Sequence, residues 1–204
     1  NKLSSQLRWR RRANAVAPPS IRSNISYGHR YRFVSTSGTA KSVNASDVLL
    51  ACGAVCYEAD TNCVAITKTA RIKRIAIWSP VASQGSSATC SIEWTAADNE
   101  VGCSSLEISD SSVSTSHPAH ISCTPPPRSL ASWWFQVHVG NLFTITAPTG
   151  SIIDVEVDQV LCDQGSISDV ATCAVAAGTL GALYYFPLDG VTDVYTPVSL
   201  TTTT

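Results

Sequence analysis

Ser26-Tyr27-Gly28-His29-Arg30-Tyr31-Arg32-Phe33 alternates: Tyr27, His29, Tyr31 and Phe33 fall on one face of an extended chain, Arg30 and Arg32 on the other. A period of two marks a strand with one buried face. Ser151 to Asp163 repeats the pattern with opposite charge, Ile153, Val155 and Val157 facing in and Asp154, Glu156 and Asp158 facing out. Three acids two residues apart share a face and repel one another unless a cation or a base meets them.

Working outward, further strands are expected over 64–78, 87–95, 105–116, 119–123, 141–146, 151–162 and 182–188. They are separated by breakers at Pro80, Gly85, Pro125-Pro126-Pro127, Pro148-Thr149-Gly150, Gly165 and Gly178. Asn44-Ala45-Ser46-Asp47 offers N-cap residues before the apolar run Val48 to Cys56, read as a short helix, and Ser129 to Phe135 reads as one helical turn. The fold class is therefore all-β: an eight-stranded antiparallel jelly-roll sandwich with short helical insertions. It follows a disordered basic N-terminal arm, residues 1–25, whose Pro18-Pro19 hinge forbids a continuing helix, so the roll is residues 26–204.

Composition says what the faces of such a roll meet. Only 14% of the 204 residues are charged, while 28 Ser and 20 Thr supply most of the polarity. Hydroxyl-rich, charge-poor faces suit burial against other protein. No apolar run approaches the ~18 residues of a membrane-spanning helix. The net charge of −1 hides a steep division: residues 1–74 carry thirteen bases against three acids, +10, and residues 75–204 one base against twelve acids, −11. Such asymmetry points to a polyanion-binding end joined to a body with another task. The eight cysteines, with no secretion signal ahead of them, read as reduced thiols. The sequence has no Met and begins at Asn1, so a further upstream segment is expected.

The candidate nucleic-acid-binding residues are Lys2, Arg8, Trp9, Arg10, Arg11, Arg12 and Arg22 of the arm, continued by Arg30 and Arg32 on the first strand. Guanidinium forks suit phosphates and one indole suits a base, and binding by charge and counterion release tolerates any sequence. Candidate metal ligands are Asp98 and Glu100 in an oxygen-rich loop and Asp154, Glu156 and Asp158 on the strand. Their readings stay open between Ca²⁺ or an inter-subunit contact and a solvated acidic face. His117 and His120, with Cys52, Cys56 and Cys63, lack zinc-site spacing, and no nucleophile elbow, phosphate loop or dinucleotide fingerprint occurs, so no enzymatic activity is expected.

Several phrases resemble a known family. Arg71-Ile72-Lys73-Arg74-Ile75-Ala76-Ile77-Trp78-Ser79-Pro80, the segment Ser83 to Trp94, Asp110 to Ser114 with Pro118-Ala119-His120, Pro126 to Trp134, Gly150 to Val155 and the ending Tyr195 to Thr203 are similar to coat proteins of small isometric viruses. The nearest group is the tombus-like and noda-like coat proteins of invertebrate-associated RNA viruses, whose shell domain is also similar to that of some small circular single-stranded DNA viruses. The resemblance spans about residues 26–204. It implies a capsid protein found in the virion and assembled in the host cytoplasm, with an inward-facing arm that packages a single-stranded genome, RNA favoured over DNA. The shell would hold roughly 180 copies, with about 60 as the alternative. Ca²⁺ at subunit interfaces is a further possibility of the family, no membrane partner is implied, and no spike domain is expected. The competing reading is a non-viral, lectin-like carbohydrate-binding jelly roll with a basic tail.

Overall fold

The computed structural model describes residues 26–95, 105–162, 169–190 and 193–202. Thirteen strands appear in chain order: β1 (Ser26–Ser35), β2 (Lys41–Asn44), β3 (Ala54–Glu58), β4 (Asn62–Ala65), β5 (Thr67–Trp78), β6 (Ala88–Trp94), β7 (Leu106–Ser112), β8 (His120–Cys123), β9 (Asn141–Thr146), β10 (Ile152–Leu161), β11 (Thr172–Ala174), β12 (Leu183–Tyr184) and β13 (Tyr195–Pro197). One α-helix, α1 (Ala45–Ala51), and one 3₁₀ turn, Leu130–Ser132, interrupt them. Among the described residues no helix is long and apolar enough to cross a membrane.

The first sheet runs β13-β1-β10-β5-β8 and the second β2-β9-β6-β7, every pairing antiparallel. The chain enters the first sheet with β1, crosses to the second with β2, returns with β5, crosses with β6 and β7, returns with β8, crosses with β9 and returns with β10; β13 is later added at the edge of the first sheet beside β1. That exchange between two four-stranded cores is the jelly roll. A third, small sheet, β11-β4-β3-β12, is set beside it.

Three expectations need correction. The segment 182–188 is not a strand of the roll: only Leu183–Tyr184 is extended, in the small sheet, because Pro187 lacks the N–H a ladder needs while Phe186 and Leu188 bury themselves irregularly. Its place in the roll belongs to β2, four residues that bury only Val43. The stretch 64–78 divides at Ile66, its first part joining the small sheet as β4. The helix begins earlier than the apolar run, at Ala45. The Asn44 backbone N–H donates to the Asp47 carboxylate at 3.1 Å and closes its first turn. It stops before Gly53, whose φ of 124° an L-residue rarely adopts.

Both inner faces feed one core. Trp94 and Phe143 meet edge-on at 5.4 Å, and the buried Tyr195 hydroxyl donates to the Ile145 carbonyl at 2.7 Å, joining the two sheets. A buried polar chain ties the first sheet to α1. Thr67 Oγ1 donates to Gln159 Oε1, Gln159 Nε2 to Tyr31 Oη, and Tyr31 Oη to the Cys52 carbonyl, all within 3.0 Å. Cys52, Cys56, Cys63, Cys90 and Cys123 are buried free thiols. Burial pushes Cys52 up to about 12 and Cys90 and Cys123 to about 11, so they stay protonated at neutral pH.

Candidate interaction surfaces

The outer face of the first sheet is built by register. β1 sets Arg30 opposite Glu156 and Arg32 opposite Asp154 on β10; β5, on the other side of β10, sets Arg74 opposite Glu156 and Arg71 opposite Asp158. Between Arg74 and Ile72 the ladder shifts by one residue, and the extra residue is Lys73. A bulge thus adds a fifth base to the face.

Each carboxylate of β10 is matched. Arg32 grips Asp154 through two parallel hydrogen bonds, Nε to Oδ1 at 2.7 Å and Nη2 to Oδ2 at 2.8 Å, the bidentate geometry a planar guanidinium favours. Glu156 Oε1 accepts from Arg30 Nε at 2.9 Å, from Arg30 Nη2, and from Arg74 Nη2 at 2.7 Å. Asp158 accepts from Arg71 Nη2 at 2.8 Å, and Lys73 Nζ lies 3.5 Å from its other oxygen. The bonds from Arg74 and Arg30 hold the Glu156 carboxyl below its ordinary value. The repulsion expected of the three acids is therefore met by bases of the same chain, 82 to 126 residues away for the hydrogen-bonded pairs. Alternating Arg on one strand and alternating acid on another was the signal; the register that joins them was not legible locally.

Other site candidates distribute as follows. Lys2, Arg8, Trp9, Arg10, Arg11, Arg12, Arg22, Asp98 and Glu100 lie outside the described residues. Arg30 and Arg32 are on the outer face of β1, each about half exposed and each bonded to a carboxylate. Among the described residues no group of three or more His, Cys, Asp or Glu side chains could hold a metal ion. His120 stacks on Trp78, centroids 4.9 Å apart, and His117 joins a turn of serine hydroxyls. The aromatic run after the 3₁₀ turn divides. Phe135 is buried and exchanges backbone bonds with Ala70, whereas Trp133 and Trp134 are 67% and 44% exposed, Trp134 lying 5.4 Å below the Arg71 guanidinium. Trp133 is thus mostly exposed, while Trp134 touches the roll through Arg71 of β5.

The second sheet has a different outer face. A row crosses all four strands, Ser42 opposite Thr144, Thr144 opposite Glu93, Glu93 opposite Glu107. Hydroxyls pair around it, Ser42 with Thr144 at 3.2 Å and Thr89 with Ser111 at 2.8 Å. Glu93 and Glu107 are exposed, and neither meets a base among the described residues.

No protein-family model matches the sequence, and no curated protein matches it. Solved structures do. The cryo-EM structure of the giant freshwater prawn Macrobrachium rosenbergii extra small virus VLP is 14% identical, with a TM-score of 0.46, over 74% of this chain and 88% of that one. Desmodium yellow mottle tymovirus is 15% identical, TM-score 0.40, over 74% and 96%. Mud crab dicistrovirus is 12% identical, TM-score 0.27, over 82% and 79%. The jelly-roll assignment stands on the strand order of this chain.

Proposed function

We propose that the chain is the capsid protein of a small icosahedral virus, a structural protein without catalytic activity. Copies of residues 26–204 associate into a closed shell of roughly 180 subunits, or about 60 in a smaller form. Residues 1–25 form the packaging arm. Lys2, Arg8, Arg10, Arg11, Arg12 and Arg22 neutralise the phosphates of a single-stranded genome, RNA in preference to DNA, and Trp9 stacks on a base. Assembly takes place in the host cytoplasm and the product is the virion.

One observation carries the reading: a jelly roll of low overall charge, whose second sheet presents a hydroxyl-rich outer face, continues from an arm of six bases and no acid. Faces of this kind resemble the interior of an interface more than the surface of a monomer, which charge keeps apart. The arm's charge has no acidic counterpart before Asp47, so a polyanion supplied from outside balances it. Arg30 and Arg32 contribute less to this than the arm does, because Glu156 and Asp154 already take their guanidinium bonds.

The test is electron microscopy and sedimentation of the purified full chain. Closed particles with co-purified nucleic acid support the reading; a monodisperse monomer at high concentration, in moderate salt and from mildly acidic to neutral pH, refutes it.

A further inference from the structure

Glu93 and Glu107 stand directly opposite each other on β6 and β7, both exposed. Like charges directly opposed across a ladder are destabilising, and here no base of the described chain relieves them. The only base on the strands of that sheet is Lys41, opposite Ile145 and outside the Glu93 row. On the outer face of the other sheet the imbalance is reversed: Arg30, Arg32, Arg71, Lys73 and Arg74 meet three carboxylates, a surplus of two positive charges. Lys73, on the bulge, is the most loosely committed of them, 3.5 Å from Asp158. The two faces point away from each other across the sandwich, so one chain cannot satisfy both.

We propose that a second copy of the chain docks its β1–β10–β5 face onto the β6–β7 face of the first, with Lys73 and its neighbouring arginines closing on Glu93 and Glu107. This deepens the shell reading above and rests on it. The contact joins different patches on the two copies, so it is heterologous, and it closes into a ring when the rotation between copies allows. Two surplus positive charges meet two uncompensated negative ones. The paired hydroxyls around Glu93 let the rest of the acidic face be buried without stranding a charge. Nucleic acid on the basic face would use the surplus of that face but leave the Glu93–Glu107 repulsion in place, so a second copy accounts for both faces and nucleic acid for one.

The test uses the full chain in two ways. Wild-type particles assembled from a mixture of ¹⁵N-labelled and unlabelled protein are treated with a carbodiimide, which joins a lysine amine to a carboxylate with loss of water. A mixed-isotope crosslink from Lys73 to Glu93 or Glu107 is expected. In parallel, Lys73→Glu and Glu93→Lys are each expected to lower the yield of closed particles about tenfold, and the double exchange Lys73→Glu/Glu93→Lys to recover most of it. Wild-type particles without that crosslink, together with single variants that assemble normally, overturn the interface and leave the shell reading standing. A Lys73→Glu variant that assembles normally but carries less nucleic acid overturns it in favour of a nucleic-acid surface. A wild-type chain that never assembles overturns the shell reading itself.

Discussion

Arg32 and Asp154, 122 residues apart in sequence, face each other across β1 and β10 and are joined by two hydrogen bonds of 2.7 and 2.8 Å. The pair is lopsided: the Arg32 side chain is 54% exposed and that of Asp154 only 3%. Deleting the acid returns a guanidinium to water, whereas deleting the base strands a carboxylate away from it. Arg32→Ala is therefore expected to lower the melting temperature clearly more than Asp154→Ala does, by differential scanning calorimetry. Equal losses, or the reverse order, would contradict the burial of Asp154 beneath Arg32.

Glu156 gives the pH dependence. Its folded carboxyl sits below the ordinary value of 4.5, chiefly through the bond from Arg74 and then that from Arg30. A carboxyl depressed on folding contributes stability that is complete above its unfolded value and is lost as pH falls through the folded one. Glu156→Gln should therefore be less stable than wild type at neutral pH, with the gap closing on acidification below about 4. Denaturant titrations at neutral and acidic pH measure the gap, and a gap that widens in acid would reverse the sign.

Phe135 and its two neighbours should separate stability from assembly. Phe135 is 1% exposed, and its truncation to Ala is expected to cost about 3–5 kcal/mol. Trp133→Ala, at a side chain 67% exposed, should leave the unfolding midpoint within experimental error while reducing particle yield. If both tryptophan truncations leave assembly intact, the exposed pair is not an interface anchor.

These assignments differ in how far the sequence alone reveals them. The alternations in β1 and β10 are legible because each turns one face to the core, burying Tyr31 and Phe33 in β1 and Ile153, Val155 and Val157 in β10, although His29 on the same face of β1 is exposed. β2 is not, since Lys41-Ser42-Val43-Asn44 buries one side chain and shows no period. Residues 182–188 mislead in the opposite sense: Phe186 and Leu188 are as apolar as strand residues and equally buried, but Pro187 between them cannot join a ladder. The charge lattice and the Glu93–Glu107 pair depend on register between distant strands, which single-strand periodicity does not contain.

Thiol accessibility gives an independent check of the core. Cys52, Cys56, Cys63, Cys90 and Cys123 are buried, and burial raises Cys52, Cys63, Cys90 and Cys123 to about 11 or 12. A maleimide acts on the thiolate, so none of the five should label in the native protein at mildly alkaline pH, and all should label in denaturant. Mass spectrometry of the labelled peptides decides, and rapid native labelling of Cys52 or Cys90 would contradict the packing.

The central claim, a self-assembling shell that packages nucleic acid through its arm, is tested most directly by two-wavelength sedimentation velocity, with absorbance followed for nucleic acid and for protein. The full chain is compared with a full-length variant carrying Arg8, Arg10, Arg11 and Arg12→Ala. The account predicts fast-sedimenting particles for both, with a nucleic-acid-to-protein absorbance ratio that falls sharply in the variant. Particles of unchanged nucleic-acid content in the variant, or slow monomers in both, would contradict it.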